Sequence, residues 1–294
     1  MFTSAPALAL MTALCIGLAD FSSHYALRHT RALPGAFYSL CFQLLTLMLI
    51  LAIRGHWEVA NWKGPAFFFL AGILHPGVFY VFLLLSVDRL GPARAITLKG
   101  TSPFFGVAIA VIFLAERPNI LIYLGLFLVA GGVMYLTSEP GKKIGWNLNL
   151  AFPLIAGFFS GLAPNLAKVA LGYLNDPFVG VVFAVLGGLL GMFTANTILS
   201  PMQEGRFWLP ANATKNIFLF LPLGVLAGVG FITYYSALQH GTVSVVIPLV
   251  QTAPFVGIML SRLLIQEHEG VNLRLVVSAV AVVLGAVLIT LGRN

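Results

Sequence analysis

The chain has 294 residues, of which 59% are hydrophobic and 9% are charged, and its formal net charge is +7. Soluble domains carry about a quarter charged residues, so this composition excludes an ordinary soluble domain and indicates a polytopic membrane protein. The basic residues stand singly or in pairs at the ends of apolar segments, which is typical of anchors at lipid headgroups rather than of a nucleic-acid surface. We therefore expect a lipid bilayer as a partner, and no nucleic acid.

Ten apolar stretches follow one another along the chain, each long enough to cross a hydrocarbon core of about 30 Å. They predict an all-α fold with transmembrane helices at 4–27, 34–54, 64–87, 91–115, 119–137, 149–173, 177–200, 215–239, 242–265 and 270–291. The two cysteines lie inside such stretches, so no disulfide framework is expected.

Two copies of one segment organise the sequence. ITLKGTSPFFGVAIAVIFLAE begins at Ile96, and IPLVQTAPFVGIMLSRLLIQE begins 151 residues later at Ile247. The copies share a threonine, a proline and a glutamate at matching places. A repeated membrane segment with helix-interrupting residues indicates a transporter whose site lies between its two halves.

The repeat divides the predicted helices into two sets of five. Residues 1–137 form the first repeat, 138–148 a linker and 149–294 the second repeat. Because each set holds an odd number of helices, the second must enter the membrane from the opposite side. We therefore expect two inverted five-helix repeats around a central cavity.

Prolines inside the apolar segments are candidates for hinges. Each removes a backbone hydrogen bond that lipid cannot replace, so the broken helices should face protein or a wet cavity. We predict breaks in helices 3, 4, 6, 8 and 9, with Pro103, Pro164 and Pro254 as hinges; a plain kink is the alternative at each.

Three charged residues lie in mid-membrane, where a charge is expensive and is a candidate functional group. These are Asp20, Lys99 and Lys168, accompanied by the histidines His24 and His75. Asp20 could instead form a structural ion pair with one of the lysines. The histidines could form hydrogen bonds between helices rather than relay protons.

Spacing adds further residues to the predicted substrate site. Asp20 and His24 are one helical turn apart, as are Asn165 and Lys168, so each pair shares a face. Tyr80 and Tyr234 precede the two proline motifs at similar positions, and their hydroxyls need partners at depth. Thr101 and Gln251 belong to the repeated segment itself.

These features resemble the EamA-type members of the drug/metabolite transporter superfamily. The resemblance rests on ten helices in two repeats, each with a proline followed thirteen residues later by a glutamate, at Pro103 and Glu116 and at Pro254 and Glu267. Within the superfamily, amino-acid exporters of the YddG type are the nearest analogy. The resemblance implies a central cavity and cytoplasmic termini.

The lysine and arginine count disagrees with that orientation. Ten of the 16 basic residues belong to the odd-numbered connections, four to the even-numbered connections and the C-terminus, and two lie inside helices. By the positive-inside rule this distribution places both termini outside. We expect a multi-pass protein of a bacterial inner membrane with both termini on the cytoplasmic side, as the resemblance implies.

The function predicted is export of small zwitterions, foremost amino acids with aromatic or other apolar side chains, by alternating access. A lysine would bind the carboxylate, and Asp20 or freed carbonyls would bind the ammonium. The alternative is a proton-coupled multidrug or other metabolite exporter. An enzyme is not expected, because the intramembrane segments hold no G-x-S-x-G, H-E-x-x-H or paired aspartates. We expect no cofactor, no metal, and function as a monomer.

Overall fold

The computed structural model describes residues 4–27, 32–59, 61–138, 148–199, 217–264 and 273–293. Within these ranges the regular structure is helical, and ten helices are long and apolar enough to cross a membrane. In lipid a helix satisfies its backbone hydrogen bonds internally, which is why apolar stretches of this length adopt it.

The first repeat holds five spans, two of which are interrupted. The continuous helices are α1 (Ala5–Leu27), α2 (Ala32–Arg54) and α5 (Ile120–Thr137). Helix α3 consists of Lys63–Gly72 and Phe79–Leu90, joined by a wider π-helical stretch at Ile73–Val78. Helix α4 is divided into α4a (Pro92–Lys99) and α4b (Ser102–Phe113).

The second repeat again holds five spans, of which one is interrupted. The continuous helices are α6 (Ala151–Tyr173), α7 (Pro177–Leu199), α8 (Leu221–His240) and α10 (Leu273–Gly292). Helix α9 is divided into α9a (Val243–Val250) and α9b (Ala253–Leu264).

The predicted breaks are correct for three helices and wrong for two. Helix α3 departs from helical geometry at His75, before Pro76, and α4 and α9 are divided before Pro103 and Pro254. In contrast, α6 continues through Pro164, and Pro222 stands in the first turn of α8, where a proline removes no helical hydrogen bond. The position of Pro222 at the start of α8 explains why that helix is not interrupted.

The breaks in α4 and α9 have the same local structure. The Thr101 hydroxyl donates to the carbonyl of Leu98 at 2.7 Å, and the Thr252 hydroxyl donates to that of Leu249 at 2.8 Å. Each threonine thus engages a carbonyl just before the proline that ends the helical ladder. Residues 151 positions apart make the same bond, so the sequence repeat is also a structural repeat.

Helix packing follows the inverted symmetry as well. Helix α1 packs against α8 and α9b, and α6 packs correspondingly against α3 and α4b. The crossings use glycines: a Cβ on Gly17 would lie 2.8 Å from the Ala253 carbonyl oxygen, and a Cβ on Gly161 would lie 2.8 Å from that of Ser102. These results confirm the prediction of two inverted five-helix repeats.

We expect Gly161→Val to destabilise the protein, because the new side chain would overlap the backbone of α4b at Gly106, 2.6 Å from its nitrogen. Overpacking of this kind costs about 1–3 kcal/mol. Thermal stability of the detergent-solubilised protein, followed as the fraction that stays monodisperse, measures the effect. The control is Gly172→Val on the same helix, where an added Cβ meets nothing within 4 Å. Equal losses for the two variants would contradict the close crossing.

Candidate functional site

A cavity of about 310 Å³ lies between the two repeats. Its wall is formed by α1, α2, α3 and α4a from the first repeat and by α6, α7, α8 and α9 from the second. Helices α5 and α10 pack against each other, with Gly125 close to Gly285. The polar side chains on this wall are the candidates for binding a substrate.

Two opposite charges face the cavity. Asp20 of α1 is exposed to it, and Lys99 lines it at the end of α4a, where the negative end of the helix dipole favours a cation. The Lys99 Nζ atom lies 5.4 Å from the centre of the Phe79 ring, in a cation–π contact. Among the described residues that line the cavity these are the one carboxylate and the one ammonium, so their formal charges cancel.

Four more predicted residues line the same cavity, namely His75, Tyr80, Tyr234 and Gln251. The His75 ring packs on that of Phe79, with centroids 4.5 Å apart. The Gln251 Nε2 atom donates to the Ser102 Oγ atom at 2.6 Å, which joins the break of α9 to the start of α4b. The wall therefore combines aromatic surface with a few polar groups, as small-molecule sites do.

The structure adds polar lining residues that the sequence analysis missed. Ser39 and Gln43 of α2 and Ser160 of α6 all line the cavity. Ser39 and Gln43 are four residues apart on an otherwise strongly apolar helix. That spacing puts both on one face, and it could have identified α2 as a wall of the site.

The hinge candidates occupy different positions. Pro254 and Pro164 line the cavity, whereas Pro103 is buried in the first turn of α4b. Thr101, predicted in the site, does not belong to the lining, and its hydroxyl is bonded to the preceding turn. The broken segment therefore presents Lys99, rather than Thr101, to the cavity.

Asn165 and Lys168 lie elsewhere than the sequence analysis expected. The Asn165 Nδ2 atom donates to the carbonyls of Gly106, at 3.1 Å, and Gly161, at 2.8 Å, and so joins α6 to α4b. The Lys168 ammonium donates to the carbonyls of Leu238, at 2.5 Å, and Gly241, at 2.9 Å, at the end of α8. Neither residue lines the cavity, because the rotation of α6 turns both toward neighbouring helices.

Glu116 also binds the turn between α8 and α9. Its Oε1 atom accepts from the Val243 amide at 2.7 Å, and its Oε2 atom accepts from the Ser244 amide at 2.9 Å. A carboxylate at a helix N-terminus and an ammonium at a helix C-terminus both match the helix dipoles. The glutamate of the first repeat is thus bonded to the broken helix of the second.

We call the membrane side where α1 begins and α4b ends the Glu116 face. Further contacts tie helices together there: Arg54 forms a salt bridge to Asp176 at 2.8 Å, and Gln239 donates to the Asn175 side chain at 2.6 Å. At the opposite face the cavity lining reaches Ala36 and Leu223, near the starts of α2 and α8. The cavity is therefore closed at the Glu116 face and extends toward the other one.

Two predicted features cannot be placed. The side chain of His24 and the whole of Glu267 lie outside the described residues. Within the described ranges, no group of three or more histidine, cysteine, aspartate or glutamate side chains converges as metal ligands would.

Ten membrane-spanning helices in two inverted repeats, enclosing a cavity lined by an acidic and a basic side chain, define a multi-pass membrane transporter. The profile described as "EamA-like transporter family" matches residues 3–138 and again 148–291, so the chain belongs to that family. Each of the two matches covers one set of five helices, and the resemblance drawn from the repeated proline motif is thereby confirmed.

Known proteins with detectable similarity include a transporter from a plant. A "phosphoenolpyruvate/phosphate translocator 3, chloroplastic" of Oryza sativa subsp. japonica is 29% identical over 120 residues. That match spans 41% of this chain and 28% of the relative. A protein crystal structure is similar with a TM-score of 0.73 and 17% identity, covering 97% of each chain, and at that identity it supports the fold alone.

Proposed function

We propose that this protein exports small zwitterionic metabolites, foremost amino acids, by alternating access. The observation that supports the proposal is the presence of Asp20 and Lys99 on the wall of one cavity. A zwitterion offers a partner to each charge and brings no net charge into a desolvated site. A substrate with a single charge would leave the cavity charged, which is costly at low dielectric.

The size and surface of the cavity support a small metabolite. Ligand pockets range from about 300 to 1,000 Å³, and this cavity, at about 310 Å³, is among the smaller ones. Phe79, Phe231 and Tyr234 contribute aromatic surface to it. Such a surface suits amino acids with aromatic or other apolar side chains.

Alternating access is supported by the repeats. Two structurally equivalent halves can exchange conformations, so a cavity closed at one face in this state would be closed at the other face in the exchanged state. The contacts at the Glu116 face would then have to break in each cycle. Both termini would lie on the same side, which we propose to be the cytoplasmic side of a bacterial inner membrane. One chain supplies the whole cavity wall, which supports action as a monomer.

A small organic anion is the second candidate substrate. Lys99 could bind a carboxylate or phosphate, and the rice relative carries phosphoenolpyruvate and phosphate in its name. The Asp20 carboxylate on the same wall favours the zwitterion, because it would repel an anion. The Asp20 carboxylate would attract a cationic drug, but the Lys99 ammonium would repel it.

Transport by purified protein in liposomes distinguishes these substrates. We expect saturable uptake of labelled amino acids, inhibited by unlabelled amino acids and absent from protein-free liposomes. Phosphoenolpyruvate and a cationic dye such as ethidium are assayed in parallel. Uptake of the anion or of the dye without uptake of any amino acid would refute the proposed substrate class.

A further inference from the structure

Gln43 lies at the middle of α2, and its side-chain NH2 group makes no hydrogen bond to the residues that the structure describes. Gln43 is 3% exposed, and its Nε2 atom has no hydrogen-bond partner among the residues that the structure describes. The same residue lines the cavity. A buried polar side chain without a partner is thus placed at the wall of the substrate site.

The surroundings of Gln43 explain why the amide lacks a partner. Helix α2 packs against α7 and α8. The part of α8 closest to Gln43 presents two glycines: a Cβ on Gly224 would lie 2.8 Å from the backbone nitrogen of Gln43, and one on Gly228 would lie 3.6 Å from its side-chain Cγ atom. Glycines have no side chain that could accept a hydrogen bond from the Gln43 Nε2 atom.

An unsatisfied amide at this depth needs an explanation. Polar side chains within membranes usually donate across to a neighbouring helix, because an unmade hydrogen bond costs free energy there. Gln251 follows that rule, since its Nε2 atom donates to Ser102. Gln43 does not follow that rule, although a leucine or methionine would fill the same space without leaving a hydrogen bond unmade.

We infer that the Gln43 amide donates a hydrogen bond to the substrate and selects its side chain. This inference rests on the proposed function. Lys99 is on α4a, which packs against α3, α5 and α6, whereas Gln43 is on α2, which packs against α7 and α8. With the substrate carboxylate at Lys99, Gln43 meets the other end of the molecule. The substrate class is therefore zwitterions whose side chain bears an oxygen acceptor, such as a hydroxyl or an amide.

Matched pairs of substrates test the inference in proteoliposomes. Threonine and valine have the same shape, as do asparagine and leucine, and in each pair only the first has a side-chain oxygen. We expect wild-type protein to prefer the oxygen-bearing member in kcat/KM, because a site built to donate a hydrogen bond rejects the analogue that lacks the acceptor. Gln43→Met should reduce that preference about tenfold, the effect of one such hydrogen bond.

Thr46→Val is the matched control on the same helix. The Thr46 hydroxyl already donates to the carbonyl of Phe42 at 2.8 Å, so its loss should leave the preference unchanged. An equal preference in wild type and Gln43→Met would overturn the inference and assign Gln43 to packing between α2 and α8.

Shape-matched anions, malate and methylsuccinate, are assayed as well. Selection of malate that depends on Gln43, without amino-acid transport, would support the inference while rejecting the zwitterion. Absence of selection in every pair would overturn it.

Discussion

Lys99→Met is expected to lower amino-acid transport about 100-fold, because losing a charge-assisted contact in a desolvated site costs about 3 kcal/mol. Lys99 and Asp20 balance each other on the cavity wall. Without the ammonium the wall carries one negative charge, which favours a cation. Transport of the decarboxylated amines should therefore fall much less than transport of the amino acids. Initial rates of uptake into proteoliposomes for each amino acid and its amine measure the difference.

Asp20→Asn should have the reciprocal effect, favouring carboxylates that lack the ammonium group. Lys63→Met, at an exposed position where α3 begins, is the control for loss of a lysine.

The double variant Asp20→Asn with Lys99→Met distinguishes substrate binding by Lys99 from simple neutralisation of the Asp20 charge. If Lys99 served only to neutralise Asp20, the double variant would recover amino-acid transport. Recovery to near the wild-type rate would refute a role for the two charges in binding.

Glu116→Gln is expected to open the Glu116 face. The carboxylate accepts from the Val243 and Ser244 amides, and it joins the end of α4b to the start of α9a. Its charge at a helix N-terminus is worth about 1–2 kcal/mol, so its loss should raise the ratio of open to closed protein about five- to thirtyfold. A cysteine placed at Val185, buried on the cavity wall, reports the opening. It is labelled with a membrane-impermeant maleimide supplied at the Glu116 face, after Cys15 and Cys41 are replaced by alanine.

Glu58→Gln controls for the loss of a carboxylate at the same face, because Glu58 lies in the exposed connection between α2 and α3. Its labelling rate should equal that of the parent. An unchanged rate in Glu116→Gln would mean that Glu116 caps α9a statically and takes no part in closing the cavity. A lower rate would mean that the carboxylate holds the face open.

The helices and their pairing into repeats could be read from the sequence. Apolar length is a local property, and the ten predicted segments agree with the observed helices to within a few residues, apart from the start of the eighth. The matching threonine and proline at the two breaks could be read as well, because the interruption depends on the missing amide of the proline itself. Pro164 shows the limit of such reasoning, since α6 continues through it.

The lining of the cavity was predictable in part. Asp20, His75, Tyr80, Lys99, Tyr234 and Gln251 were predicted in the cavity and line it. Lys168 was predicted there too, but it binds carbonyls at the end of α8. Both lysines lie in apolar helices, and their sequence surroundings do not distinguish them. Gln43 was missed because a single amide in an apolar segment resembles a packing residue until its missing partner is seen.

The sequence by itself determined the class of this protein, its ten spans and its inverted repeats, because hydrophobic length, internal repetition and proline chemistry are encoded locally. Only the tertiary structure decided which polar side chains share the cavity. That choice depends on the rotation of each helix about its axis, which is set by close contacts between distant residues such as Gly161 and Gly106. In lipid these contacts, rather than the hydrophobic effect, select how helices pack. The same packing places Lys99 on the cavity wall and Lys168 away from it.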